Sequence, residues 1–122
     1  MPTEKYDEVK NFLISMKTAL QKSTNLDPRL SFSTVRIKNM EALAELDIRV
    51  SDVEGVLMSL VPSDYCEGPL ADSKIFGDLW VFGKMVNNKE VYIKLKLSGD
   101  AKRYLVRVIS FHLPDKPMKY QF

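Results

Sequence analysis

The sequence predicts an α+β fold, in which N-terminal helices pack on one face of a small twisted antiparallel sheet of about three to four strands. Apolar residues recur at helical spacing over residues 1–61, and their period changes to two over residues 79–112. Helices followed by strands are typical of domains in which the helices cover one sheet face. We therefore expect one domain over residues 1–122, with a loop over 62–78 and a C-terminal tail over 113–122.

Three helices are predicted in the first half of the chain. The first starts near Thr3, a helix-capping residue type, and buries one apolar stripe. That stripe consists of Tyr6, Val9, Phe12, Leu13, Met16 and Leu20. The second helix covers Ile37–Leu46, a run of good helix formers. Ser51 and Glu54 form a capping box for the third helix, which Pro62 stops.

The predicted strands lie mainly in the second half of the chain. A short extended segment is expected over residues 30–33. The sheet itself is expected over Leu79–Val86, Glu90–Leu97 and Tyr104–Phe111, where apolar residues alternate with other residues.

The turn of the first hairpin decides which side chains share a sheet face. A two-residue turn at Asn87-Asn88 would leave both faces chemically mixed, whereas a three-residue loop over 87–89 would separate them. With the longer loop, Lys84 lies opposite Tyr92. One face then carries Trp80, Phe82, Lys84, Tyr92, Lys94 and Lys96. Because burial of the other face demands a clean split, we predict the three-residue loop.

This predicted face and the charge of the second half both favour a polyanionic ligand. Residues 79–122 carry 9 Lys and Arg against 3 Asp and Glu, whereas residues 1–78 carry 9 against 13. Aromatic rings among lysines are typical of surfaces that stack bases and hold phosphates. The alternative is that Trp80 and Phe82 pack under a helix or loop and that the lysines are solvated.

The counts of cysteine and histidine restrict the possible chemistry. With Cys66 and His112 each the only residue of its type, an internal disulfide, a cysteine metal cluster and a multi-histidine metal site are all excluded. We expect no metal, no cofactor and a reducing cytoplasmic location. The polar N-terminus predicts no secretory signal, and no apolar run is long enough to predict a membrane span.

Several sequence blocks, taken in order, carry a family pattern. They are LVPSDY at 60–65, Gly68-Pro69, LWVFGK at 79–84, EVYIKLKL at 90–97 and ISFH at 109–112. As a set they resemble the MqsR-type (motility quorum-sensing regulator) toxin family of type II toxin–antitoxin systems, within the RelE-like fold group. The resemblance covers residues 30–122. It implies a toxin that cleaves mRNA and is held inactive by an antitoxin, expected to be a helix-turn-helix DNA-binding protein.

The resemblance also implies roles for individual residues. Tyr92 matches a tyrosine implicated in catalysis, and Lys94 and Lys96 match the basic strand of the family. His112 stands where other branches carry a lysine, and Glu67 stands where some members carry a basic residue.

Metal-free RNA cleavage needs a base for the 2′-hydroxyl proton, an acid for the leaving 5′-oxygen and cations for the phosphate. Histidine is the side chain whose ordinary pKa lies near neutrality, so we predict that His112 acts as acid or base. Tyr92 would donate a proton or position the phosphate, and is a poor base unless nearby lysines lower its pKa. Arg107 has bidentate geometry, but strand alternation separates it from His112 unless a bulge or the strand end intervenes.

We therefore predict His112, Tyr92 and Lys94 as catalytic residues. The predicted RNA-binding residues are Lys84, Lys96, Arg107, Trp80 and Phe82. A structural role for His112 and a nucleophilic role for the Cys66 thiol are the alternatives at the site. At the level of function, the alternatives are ribosome-dependent cleavage and a non-catalytic interaction module.

Overall fold

The computed structural model describes residues 3–72 and 77–122 and places three helices against one face of a five-stranded sheet. The helices are α1 (Thr3–Gln21), α2 (Ile37–Leu46) and α3 (Val50–Met58). The strands are β1 (Leu30–Phe32), β2 (Tyr65–Ala71), β3 (Asp78–Val86), β4 (Lys89–Asp100) and β5 (Arg103–His112). The predicted α+β class is confirmed, with more strands than expected. No helix in the described part of the chain is long and apolar enough to cross a membrane.

The strands follow the order β1-β5-β4-β3-β2 across the sheet. β1 runs parallel to β5, and the other neighbouring pairs are antiparallel. The sheet is therefore mixed rather than purely antiparallel. β2 lies where a loop over 62–78 was predicted, after a 3₁₀ turn at Pro62–Asp64. Its pairing with β3 shifts register twice, so an edge strand accommodates the turn-forming residues Gly68 and Pro69.

The helices follow the apolar periodicity of the sequence. In α1, the predicted stripe is buried except for Tyr6, and α2 has the predicted bounds. The predicted capping box of α3 is wrong. The helix starts at Val50, and the carboxylate of Asp52 accepts a hydrogen bond from the backbone N–H of Arg49 at 2.8 Å. The N-cap is therefore two residues earlier than Ser51.

The first hairpin has the two-residue turn, so the predicted three-residue loop is wrong. Asn87 and Asn88 adopt positive φ angles of 47° and 69°, which suit a tight hairpin turn, and Lys84 pairs with Val91 rather than with Tyr92. The mixed face that this register creates is tolerated because Lys84 lies near the sheet's end. Its ammonium donates to the carbonyl of Ser59 and pairs with the Asp64 carboxylate, both at 3.1 Å.

The register gives the sheet a helix face and an open face. The helix face carries the core, where the ring of Phe12 from α1 stacks on Trp80 with ring centroids 4.7 Å apart. Other core residues on this face are Tyr65, Phe82, Val86, Val91, Ile93, Leu95, Val106, Val108 and Phe111. The open face carries Val81, Gly83, Tyr92, Lys94, Lys96, Arg107, Ser110 and His112.

A β-bulge in β5 places residues on both sides of Ile109 on the open face of the sheet. Lys94 pairs with Ser110 and Leu95 pairs with Val108, so Ile109 is an additional residue between them. As a result Arg107 pairs with Lys96 on the face that also carries His112. The bulge resolves the conflict that strand alternation raised.

Candidate active site

A cleft of about 920 Å³ lies on the open face, a size within the range of small-ligand sites. Its floor is formed by β3, β4 and β5, and one wall by residues of the C-terminal tail, 113–122. The floor residues are Val81, Tyr92, Lys94, Ser110 and His112. Arg36 and Lys38 enter from the start of α2, and Cys66 and Glu67 enter from β2.

The tail crosses the open face and is fixed above β3 and β4 by Tyr120. The phenol of Tyr120 donates to the Glu90 carboxylate at 2.7 Å, and burial together with that carboxylate raises the pKa of the phenol. The ring lies where a side chain at Gly83 would project, since a β-carbon there would be 2.9 Å from Cζ of Tyr120. A residue without a side chain is therefore needed beneath the tail.

The tail is anchored a second time at the edge strand β2. The backbone N–H of Gln121 donates to the carbonyl of Tyr65 at 3.1 Å. The ring of Phe122 lies between Tyr65 and Tyr6, with centroid distances of 5.6 and 5.3 Å. Anchors on a strand and a helix make the tail a fixed wall of the cleft.

Of the two ring nitrogens of His112, Nδ1 is hydrogen-bonded, and Nε2 has no hydrogen-bond partner among the residues that the structure describes. Nδ1 lies 2.9 Å from the carbonyl oxygen of Leu113. Because a carbonyl only accepts hydrogen bonds, Nδ1 must carry the hydrogen, and Nε2 of the neutral ring then bears the lone pair. This tautomer is suited to accept a proton at Nε2 and to return it afterwards.

Tyr92 lies beside His112 and keeps its proton. The two rings are stacked at a centroid distance of 5.2 Å with an interplanar angle of 15°, and Nζ of Lys94 lies 5.9 Å from the Tyr92 centroid. Burial, followed by the negative charge of Glu67, raises the pKa of Tyr92. Arg36 acts to lower this pKa but does not outweigh these causes, so the phenol is suited to donate a hydrogen bond or a proton and not to act as a base.

Cations exceed carboxylates around the cleft. Of the described residues that line it, five carry a positive charge: Arg36, Lys38, Lys94, Lys116 and Lys119. The carboxylates are Glu67 and Asp115, and Asp115 accepts a hydrogen bond from Lys38 at 3.1 Å that lowers its pKa. An excess of positive charge in a concave site favours an anionic ligand.

Of these five cations, only Lys94 was predicted from the sequence as a site residue. Arg36 and Lys38 come from the first half of the chain, which carries a net negative charge, and reach the cleft only because β1 pairs with β5 and α2 packs on β5. Lys116 and Lys119 lie on the tail, to which no role was assigned. An excess of basic residues after position 79 was the only sequence signal for them.

The three predicted catalytic residues lie together, but none of the five predicted RNA-binding residues joins them in the cleft. Trp80 and Phe82 are 7% and 0% exposed on the helix face, so their predicted exposure is wrong. Lys84 pairs with Asp64 outside the cleft. Lys96 is on the open face but is fully buried, and pairs with the Asp72 carboxylate at 2.8 Å. The placements of Trp80, Phe82 and Lys84 follow from the shorter hairpin turn, and that of Lys96 goes with its pairing to Asp72.

Arg107 and Cys66 are the remaining candidates that the sequence predicts. Arg107 lies on the open face beyond the cleft, and its Nε is buried without a hydrogen-bond partner among the described residues. Burial and nearby carboxylates raise the pKa of the Cys66 thiol to about 11, which argues against a thiolate nucleophile. Within residues 3–72 and 77–122, no three His, Cys, Asp or Glu side chains are placed to share a metal ion.

Comparison of the chain with models of protein families, with curated protein sequences and with solved structures gives no match. The resemblance to the MqsR-type family therefore stays a prediction that rests on the sequence blocks.

Proposed function

We propose that this protein is an endoribonuclease that cleaves mRNA without a metal ion, as the toxin of a toxin–antitoxin pair in the cytoplasm. The observation that carries the proposal is the Tyr92–His112 pair in a cleft rich in cations. A neutral imidazole with Nε2 available, a protonated phenol and nearby ammonium groups are the components that cleavage by the substrate's own 2′-hydroxyl requires.

In the proposed reaction, Nε2 of His112 accepts the proton of the 2′-hydroxyl. The 2′-oxygen then bonds to phosphorus, and the bond from phosphorus to the 5′-oxygen breaks. Tyr92 donates its proton to that leaving oxygen, and the imidazolium of His112 restores the phenol proton through solvent. The products are a 2′,3′-cyclic phosphate and a 5′-hydroxyl end.

The cations stabilise the charge that develops on the phosphate. Lys94 lies on the same strand and face as Tyr92, with its Nζ above that ring. Arg36 has the fork geometry that matches two phosphate oxygens. Electrostatic stabilisation of this kind is usually the largest single contribution to catalysis.

The test uses purified protein and single-stranded RNA in the presence of EDTA. We expect cleavage with 2′,3′-cyclic phosphate ends, which His112→Ala and Tyr92→Phe abolish or strongly reduce. Strict dependence on magnesium, or products with 3′-hydroxyl ends, would contradict the mechanism.

Two outcomes would favour the alternatives instead. Cleavage only when ribosomes are added would mean that the cleft needs ribosomal RNA to complete it. Binding without cleavage in both conditions would leave a non-catalytic interaction module.

The toxin role is tested separately, by expressing the chain alone and together with the product of the neighbouring gene. We expect wild-type protein to stop growth, His112→Ala protein to be tolerated, and the neighbouring protein to restore growth. Acidic side chains on that partner would speed its association with the basic cleft. Equal growth with soluble wild-type and His112→Ala proteins would contradict the toxin role.

A further inference from the structure

Asn39 of α2 is a fully buried polar residue, with 0% of its surface exposed. Its Nδ2 donates to the carbonyl of Ser33 at 3.0 Å and to the carbonyl of Ile109 at 3.1 Å. Its Oδ1 accepts the backbone N–H of Phe111 at 2.9 Å. One side chain thus ties the end of β1 to two backbone groups of β5.

The first of these β5 groups belongs to Ile109, the additional residue of the bulge, and the second lies two residues later at Phe111. A bulge interrupts the ladder and leaves backbone groups without their regular partners, which must be satisfied in another way. The register of β5 with β1 ends at Val108 and Phe32, and beyond that point the amide of Asn39 supplies an N–H for the carbonyl of Ile109 and an oxygen for the N–H of Phe111.

The bulge determines which face the ends of β5 present. With regular pairing beyond Lys94 and Ser110, Arg107 would lie on the helix face. If the extra residue were absorbed from the other direction, Ser110 and His112 would turn toward the helices and His112 would leave Tyr92. The contact between His112 and Tyr92 therefore depends on the register of β5 on both sides of Ile109.

We infer that Asn39 is a positioning residue, which locks the β5 bulge and so holds His112 on the open face against Tyr92. Its consequence for catalysis rests on the proposed function, but its effect on the contact between His112 and Tyr92 does not. An amide is required because it alone combines a donor and an acceptor at this reach; leucine has the same shape and neither group.

The test compares Asn39→Leu with Leu43→Ala, a buried position one turn along the same helix that removes core packing without touching the bulge. Because His112 is the only histidine, its ring protons are assigned directly in NMR spectra. We expect the nuclear Overhauser contacts between His112 and Tyr92 to persist in Leu43→Ala and to disappear in Asn39→Leu. In the cleavage assay, kcat should fall about 100-fold in Asn39→Leu, as for a misplaced catalytic group, while KM changes little.

Retained His112–Tyr92 contacts in Asn39→Leu would overturn the inference, as would a kcat equal to that of Leu43→Ala. If the wild-type protein cleaves no RNA, the proposed function fails while the NMR contacts still decide the role of Asn39. If Asn39→Leu does not fold, hydrogen exchange of the wild-type Phe111 amide decides. Exchange as slow as that of core amides supports the lock, and exchange as fast as that of exposed loops overturns it.

Discussion

Two lysines on the same strand and the same face allow a matched test of the structure. Lys94 lines the cleft, whereas Lys96, two residues on, is fully buried and paired with Asp72. We compare Lys94→Met with Lys96→Met, since both substitutions remove one ammonium group and keep a similar volume. The sequence predicted both side chains on the same RNA-binding sheet face.

The expected magnitudes differ because the surroundings of the two ammonium groups differ. Removing one partner of a buried ion pair takes away stabilisation of the other charge, and breaking such pairs costs about 3 to 5 kcal/mol. The Asp72 side chain is 16% exposed and so keeps some hydration, which places the expected cost of Lys96→Met near the lower value, about 3 kcal/mol. For a chain of this length that corresponds to a drop in Tm of roughly 10 °C. Lys94→Met should change Tm by no more than about 2 °C.

RNA binding should show the opposite order. Lys94→Met should reduce the slope of log Kd against log salt by about 0.7, the value for one phosphate contact on a single strand. Lys96→Met should leave that slope unchanged. Thermal unfolding and binding titrations at several salt concentrations measure both effects. Equal losses of Tm in the two variants would refute the burial of Lys96, and an unchanged slope in Lys94→Met would refute its contact with phosphate.

Three further predictions concern the thiol, the phenol and the tail. Because the pKa of Cys66 is raised to about 11, its thiol should react with disulfide reagents at pH 8 about 100-fold more slowly than a thiol of pKa 9.0, and denaturation should abolish the difference. Because burial raises the pKa of Tyr92 and its protonated form is the active one, activity should persist as pH rises to 10 and decline only above its raised pKa. A decline in kcat centred below pH 10 would contradict this. Gly83→Ala should displace Tyr120 and the tail and raise KM several-fold. The control is Gly55→Ala, where a β-carbon meets nothing within 4 Å, and it should leave KM unchanged and stabilise α3 by about 0.5 to 1 kcal/mol. Equal KM values in the two variants would contradict the role of the tail as a wall of the cleft.

The parts of the fold that local periodicity determines could be predicted from the sequence. The stripe of α1 and the bounds of α2 follow from the spacing of apolar residues. The hairpin turn could not be predicted in this way. A clean split between the two faces is not required, because Lys84 on the mixed face reaches Asp64 and the carbonyl of Ser59.

The candidate site was predictable only in its centre. His112 and Tyr92 are distinctive residue types in a recognisable pattern, and they do lie together. Arg36 and the tail lysines depend on contacts between distant parts of the chain, which no local pattern encodes. The burial of Lys96 likewise depends on Asp72, a residue of the segment 62–78 that was predicted as a loop.

The chain has one tryptophan and one histidine, and the sheet separates them. Trp80 is stacked on Phe12 within the core, while His112 faces the cleft. Intrinsic tryptophan fluorescence therefore monitors the docking of α1 on the sheet and should remain silent while a ligand fills the cleft. The protein thus carries two native probes that require no label. Fluorescence of Trp80 reports folding, and the NMR signals of His112 report ligand binding in the cleft.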